Sequence, residues 1–396
     1  DSDDLDDTTY AKGVTTCLDS GTAACIKTGD SDGTLTISGG TFNLKATGNA
    51  GKLINAAGYL VIGTEGQKTF PDDTSFAPNI SGATTGSKVY CTAVKQKYYN
   101  VLATATATTN LTAMELSAAA DNLVKASSPR KTMPMGGPGG GATGEMAGGG
   151  AAPGGGDDNA DYSNPKGIKG VAGVTVHGGR IAVTTKNDGG EGLESKALLT
   201  INGGVLDLQC CDDAINSGGD FTVSGGYVCG YSAGNDGLDA NGNFYIKGGV
   251  VYAIGTNSPE VAIDANTEGG YKLYLTGGTL VAIGGLEQGS SLTQACYQAP
   301  SWSQNTWYGM AVGSTTYAFK TPSAGGTPLV VSGASSPSLT SGVSASGGTS
   351  HFEGLLLTDV AVSGGTSVTL SAYSGGNGGG GGGGNGPGGG GGHGPF

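Results

Sequence analysis

The sequence predicts an all-β chain built as a parallel β-helix, a β-solenoid carrying an inserted segment and Gly-rich tracts. Three observations point there. A short phrase recurs four times, as EGLES at Glu191–Ser195, DAINS at Asp213–Ser217, DGLDA at Asp236–Ala240 and VAIDA at Val261–Ala265. Gly-Gly pairs recur at 178, 203, 225, 248 and 277, which is 25, 22, 23 and 29 residues apart, the spacing of repeats that stack one coil on the next. Before each pair stands an alternating triplet: Val174-Thr175-Val176, Leu199-Thr200-Ile201, Phe221-Thr222-Val223, Phe244-Tyr245-Ile246 and Leu273-Tyr274-Leu275. Alternation in a strand sends the flanking apolar residues inward and the central Thr or Tyr outward.

The phrase and the pairs share one register. Glu194, Asn216 and Asp239 each lie nine residues before a Gly-Gly pair, whereas Asp264 reaches Gly277 after four extra residues. Stacked strands lie about 4.8 Å apart, so the phrase builds two acidic columns. One is Glu191/Asp213/Asp236 and the other Glu194/Asn216/Asp239/Asp264, with Asp212 beside them. At an effective dielectric of about 20, each like-charged pair in such a column costs on the order of 3 kcal/mol. A hard cation held by carboxylate and amide oxygens relieves that repulsion, and calcium suits an irregular oxygen cluster better than magnesium does. The candidate metal ligands are therefore Glu191, Glu194, Asp212, Asp213, Asn216, Asp236, Asp239 and Asp264, with Lys196 placed to neutralise part of one column.

The run EGLESKALLTINGGVLDLQCCDDAINSGGDFTVSGG, followed by NDGLDANGNFYIKGG, resembles the secreted bacterial carbohydrate-binding-domain family of parallel β-helix proteins, themselves similar to calcium-dependent polysaccharide (pectate) lyases. Gly289–Trp307 and SSPSLTSG at Ser335–Gly342 resemble that family's C-terminal part, so the likeness spans Ala24 to Ala372 around a large insertion. The resemblance implies a right-handed β-helix, an extracellular or cell-surface location, bound calcium and affinity for acidic sugars.

In chain order, residues 1–70 read as the first coils. TLTISGGTFNLKA at Thr34–Ala46 repeats the strand–Gly-Gly–strand unit, and Ile54-Asn55 occupies the phrase position. Lys52 stands where a carboxylate would be, so this coil is expected to bind no metal. Residues 71–133 break the repeat as an insertion, a cap or an arm, beginning with a loop-like stretch over PDDTSFAPNISGATTGSKVY. The triplets Asn79-Ile80-Ser81 and Asn110-Leu111-Thr112 match the glycosylation pattern, which is common by chance. Residues 134–157 form a Gly/Pro-rich linker, 158–285 the main coils with the acidic columns, 286–374 the C-terminal coils and cap, and 375–396 a polyglycine tail. In the extended left-handed helix the tail from Gly376 to Phe396 would reach about 65 Å, enough to bridge to a neighbouring subunit. Tyr297, Trp302, Trp307, Tyr308, Tyr317 and Phe319 either close an end of the core or offer rings to sugars.

Composition bounds the function. Of 396 residues 80 are Gly and only 13% are charged, and the net charge of −13 repels a nucleic-acid backbone. No apolar run approaches a membrane span, and the chain reads from Asp1 as a mature, secreted product. Seven cysteines show no zinc spacing; they read as small buried apolar residues plus one or two disulfides, Cys17 and Cys25 being close enough to close a loop. Three scattered histidines support no nucleophilic triad. The paired carboxylates of the phrase fit a metal column better than a glycosidase pair. A lyase would need a base, and Lys196 is the sole basic residue inside the acidic phrases, read first as an ion-pair partner.

The expectation is a non-catalytic, extracellular calcium-binding β-helix, structural or adhesive, that self-associates into fibres and takes acidic polysaccharide as a partner. A monomeric carbohydrate-binding module and a calcium-dependent lyase are the alternatives.

Overall fold

The computed structural model describes residues 24–29, 31–48, 50–66, 77–86, 164–187 and 189–375. Most of the insertion, the Gly/Pro tract, the polyglycine tail, Cys17, Cys91, Asn110 and Arg130 lie outside them.

Three sheets run along the solenoid, and each coil up to Ile254 contributes one strand to each. The first sheet comprises Ala24–Thr28, Lys52–Ala56, Lys166–Gly170, Glu191–Ser195, Ile215–Ser217 and Leu238–Ala240, all parallel. Single parallel bridges from Leu238 to Ile263 and from Ile263 to Leu286 extend it. The second sheet runs from Thr34–Ile37 through Leu273–Leu275 to Ser291–Leu292, and the third from Thr41–Ala46 to Thr279–Ile283. A parallel β-helix is therefore the architecture. Ile54 is in register with Ile168, and Asn79 with Arg180, so the coils on either side of the insertion are ladder neighbours.

The alternating triplets behave as their pattern requires. Leu199, Phe221, Phe244 and Leu273 are in register and fully buried, as are Ile201, Val223, Ile246 and Leu275 one pleat further on. The Phe221 and Phe244 rings stack with centroids 4.3 Å apart. Each such side chain contributes about 1.5–3 kcal/mol of burial, which is how a chain so poor in charge and rich in glycine holds a core. Thr175, Thr200, Thr222, Tyr245 and Tyr274 form the outward column, ending in stacked tyrosines 5.1 Å apart.

The Gly-Gly pairs have two separate causes. The second glycine takes a left-handed conformation, with φ of +94°, +85°, +81° and +89° at Gly204, Gly226, Gly249 and Gly278. The first has no room for a side chain: a Cβ at Gly225 would lie 2.6 Å from the Asn202 carbonyl oxygen, and one at Gly248 2.5 Å from that of Ser224.

Two expectations change. Asn79–Thr84, read as loop at the start of the insertion, is a strand of the third sheet between Thr41–Ala46 and Arg180–Thr185. Its glycine and small residues masked the alternation: Gly82 lies inward, where a Cβ would meet Leu53. Residues 286–374, read as further coils with a cap, leave the parallel path after Leu292. Thr279–Ile283 pairs antiparallel with Leu329–Ser332, which pairs antiparallel with Cys296–Ala299 and so leads to Ser371–Tyr373. The hairpin Trp307–Val312/Thr315–Lys320 anchors a second antiparallel sheet.

This antiparallel layer lies on the flank of the solenoid, not over its end. Cys229, Tyr252 and Val281, outward on the third sheet, form a second core with Tyr308, Met310, Phe319 and Leu339. Tyr252 Oη donates to the Lys320 carbonyl at 2.7 Å. The end of the coils is instead covered by Tyr373, whose hydroxyl donates to the Leu286 carbonyl at 3.0 Å and accepts from its N–H at 2.9 Å. Cys25, Cys210, Cys229 and Cys296 are free thiols, and Cys17, the other half of the expected loop, lies outside the described residues. Among the described residues no helix is long and apolar enough to cross a membrane.

Candidate metal centre

The first sheet carries the recurring phrase, and its register shows what the columns hold. One column reads Lys52, Lys166, Glu191. The other reads Lys27, Asn55, Lys169, Glu194, Asn216, Asp239, and the bridges at Ile263 and Leu286 carry it on to Asp264 and Glu287. Both columns are basic in the early coils and acidic in the later ones. KGIKG at Lys166–Gly170 is thus another copy of the phrase, 25 residues before EGLES, with lysines in the carboxylate places. That spacing was visible in the sequence; the charge reversal hid it.

The reversal divides the eight predicted ligands. Glu191 and Glu194 are fully buried and face lysines. Lys166 Nζ pairs with Glu191 Oε2 and lies 3.6 Å from Glu194 Oε1; Lys169 Nζ is 3.0 Å from Glu194 Oε2, and Lys196 Nζ 2.6 Å from Glu194 Oε1. Burial alone would raise the Glu194 carboxyl, but Lys166, Lys169 and Lys196 together hold it below the usual range. Burial pushes Glu191 up to about 7, partly offset by Lys166. With their charge already met, these two are ion-pair residues, and a cation there would compete with buried ammonium groups.

Asp212, Asp213 and Asn216 form the middle of the ladder. Asn216 Nδ2 donates to Asp213 Oδ2 at 3.1 Å and to Asp239 Oδ2 at 2.7 Å, so a neutral amide separates two carboxylates of adjacent coils. Asp213 Oδ1 accepts from the Asp236 N–H at 3.1 Å, and Asp212 Oδ1 from Asn235 Nδ2 at 3.0 Å. Burial, then Asp239 and Asp236, raise the Asp213 carboxyl well above its ordinary value.

Asp236, Asp239 and Asp264 come together: one carboxylate oxygen from each lies within 4.8 Å of the others. Asp236 is buried, with Oδ1 accepting from the Val261 N–H at 2.6 Å, whereas Asp239 and Asp264 are half-buried and open to solvent. Burial and then Asp239 push Asp236 well up. Burial, a side-chain hydrogen bond with Glu287 and the charge of Asp239 push Asp264 up to about 12. Two carboxyls share a hydrogen bond only if one keeps a proton or a cation takes its place. Glu287, missed in the sequence, follows Leu286 as Asp264 follows Ile263, and its Oε1 also accepts from Thr267 Oγ1 at 2.9 Å.

This donor set fits calcium. It is all oxygen, supplied by flexible carboxylates from successive coils, and partly open to solvent for the remaining places of a coordination number of about 6–8. The chain matches no family model, no curated protein and no solved structure.

Proposed function

We propose that the chain is a non-catalytic, extracellular β-helix in which calcium held by Asp236, Asp239 and Asp264 completes the charge balance of the first sheet. The observation that carries this reading is the convergence of three carboxylates from two successive coils, one oxygen of each within 4.8 Å of the others. On this reading calcium consolidates the late coils as the lysines consolidate the early ones. Its solvent-facing coordination places take carboxylates of an acidic polysaccharide, giving an adhesive or matrix role. The strands Ala24–Thr28, Thr34–Ile37 and Thr41–Ala46 are the terminal members of their three sheets among the described residues, an edge geometry suited to end-to-end pairing into fibres. Lys196, the base a lyase would require, is engaged by Glu194, which supports a scaffold over an enzyme.

Calorimetric titration of the chelated protein with calcium tests the site, and electron microscopy with and without chelator tests the assembly. Calcium uptake that Asp239→Asn removes, and fibres that shorten on chelation, are expected. Absence of uptake sinks the cation reading, and single rods in both conditions sink the fibre.

A further inference from the structure

We propose that Lys166 and Glu191 are joined by an intramolecular amide bond that staples two successive coils of the solenoid. The two residues are in register on adjacent parallel strands, with Lys166 Nζ against Glu191 Oε2 and side-chain exposures of 4% and 0%. Glycines flank the pair on both strands, and a Cβ at Gly167 would collide with the Gly192 carbonyl, so the backbones are held in close apposition beneath the two side chains. Fixed neighbours of this kind react with effective molarities of about 10⁵–10⁸ M, which is what an uncatalysed condensation of amine and acid lacks in water.

The reactants are the uncharged forms, reached when the ammonium proton passes to the carboxylate within the pair. Glu191 and Glu194 hold the Lys166 ammonium charged against burial, so the amine is the minor form and the fixed apposition carries the reaction. Glu191 is already displaced toward its acid form by burial. In the step itself the Lys166 Nζ lone pair attacks Glu191 Cδ, forming the C–N bond. Glu194, whose Oε1 is 3.6 Å from Nζ, accepts the proton that nitrogen sheds and returns it to the departing hydroxyl, so the C–O bond breaks and one water leaves. No oxidant or further reactant is required. Glu194 keeps its charge and its contacts with Lys169 and Lys196 afterwards.

Mass spectrometry of the full purified chain, reduced and denatured, tests this independently of the cation reading. The expected chain is lighter than its sequence by one water. Trypsin should leave Lys166 uncut, yielding a peptide ending at Lys169 joined to Asn187–Lys196. Lys166→Arg, which keeps the charge and the fold but cannot form the amide, should restore the full mass and the separate Asn187–Lys196 peptide. A wild-type chain of full mass with the two peptides unlinked overturns the proposal, and so does a water loss that persists in Lys166→Arg.

Discussion

The early and late halves of the first sheet solve one electrostatic problem in two ways. Both halves repeat the same phrase in the same two columns. In the early half Glu191 and Glu194 meet Lys166, Lys169 and Lys196, so buried acids are answered by amines of the coil before and the turn after. In the late half Asp236, Asp239, Asp264 and Glu287 meet one another, with hydrogen bonds from the Asn216 amide, the Val261 N–H and the Thr267 hydroxyl among them. A stacked repeat therefore fixes where a side chain goes, while the neighbouring coil fixes what it can do there. A carboxylate of the same column is an ion-pair partner in one coil and, in the function proposed, a cation ligand two coils later.

The sharpest way to break the comparison is to remove the acid at the centre of the early network. Glu194→Gln leaves Lys166 and Lys169 buried beside an uncharged amide, and breaking a buried pair costs about 3–5 kcal/mol. Chemical denaturation should show a loss of that size, unaffected by calcium. The corresponding change in the late half should behave in the opposite sense. Asp239→Asn relieves repulsion, so in chelator it should cost little or stabilise slightly. Its price appears only with metal: calcium at about 100 times its dissociation constant should raise wild-type stability by about 2.7 kcal/mol and leave Asp239→Asn unmoved. Thermal melts at matched calcium concentrations check both statements.

The two halves should also separate by pH. Asp264 moves from an ordinary 3.8 to about 12, so above about pH 4 the unfolded chain releases a proton that the cation-free fold retains. The fold then binds more protons than the unfolded chain, and its stability falls as pH rises through that window; Asp236 and Asp213 act in the same direction. In the early half Glu194, held low by its lysines, contributes stability above the ordinary carboxylate range that is lost on acidification, while Glu191, pushed up to about 7 by burial, acts with the aspartates only up to about that pH. Melting temperatures in chelator should therefore decline from mildly acidic pH toward alkaline pH. Calcium, by replacing the retained protons, should flatten that decline. An unchanged slope with calcium would separate the aspartates from any cation site.

Much of this was legible in the sequence, for a physical reason. Parallel stacking converts a linear period into a spatial column, so the spacing of the Gly-Gly pairs and the Leu199/Phe221/Phe244/Leu273 set specified coils, interior and outward face together. The lysine partners escaped notice because an acidic phrase does not reveal its basic copy unless register is followed through a change of charge, as from KGIKG to EGLES. The C-terminal layer escaped because its strands alternate as coil strands do. The signal that a flank of the solenoid would be covered lay in apolar outward residues such as Cys229, Tyr252 and Val281.

Lys196 offers the finest distinction. Its ammonium lies 2.6 Å from Glu194 Oε1, yet its side chain is 33% exposed, against 4% for Lys166 and 19% for Lys169. Water therefore competes for it, and two less exposed lysines still neutralise Glu194 when it is gone. Lys196→Ala should cost only about 0.2–1 kcal/mol, a loss that shrinks further in high salt. The same variant discriminates scaffold from enzyme. If a base at this position removed a proton from an acidic sugar, the substitution would abolish release of unsaturated product from polygalacturonate at unchanged stability. A scaffold yields no such product before or after the change, and its calcium uptake at Asp236, Asp239 and Asp264 is the same in both proteins.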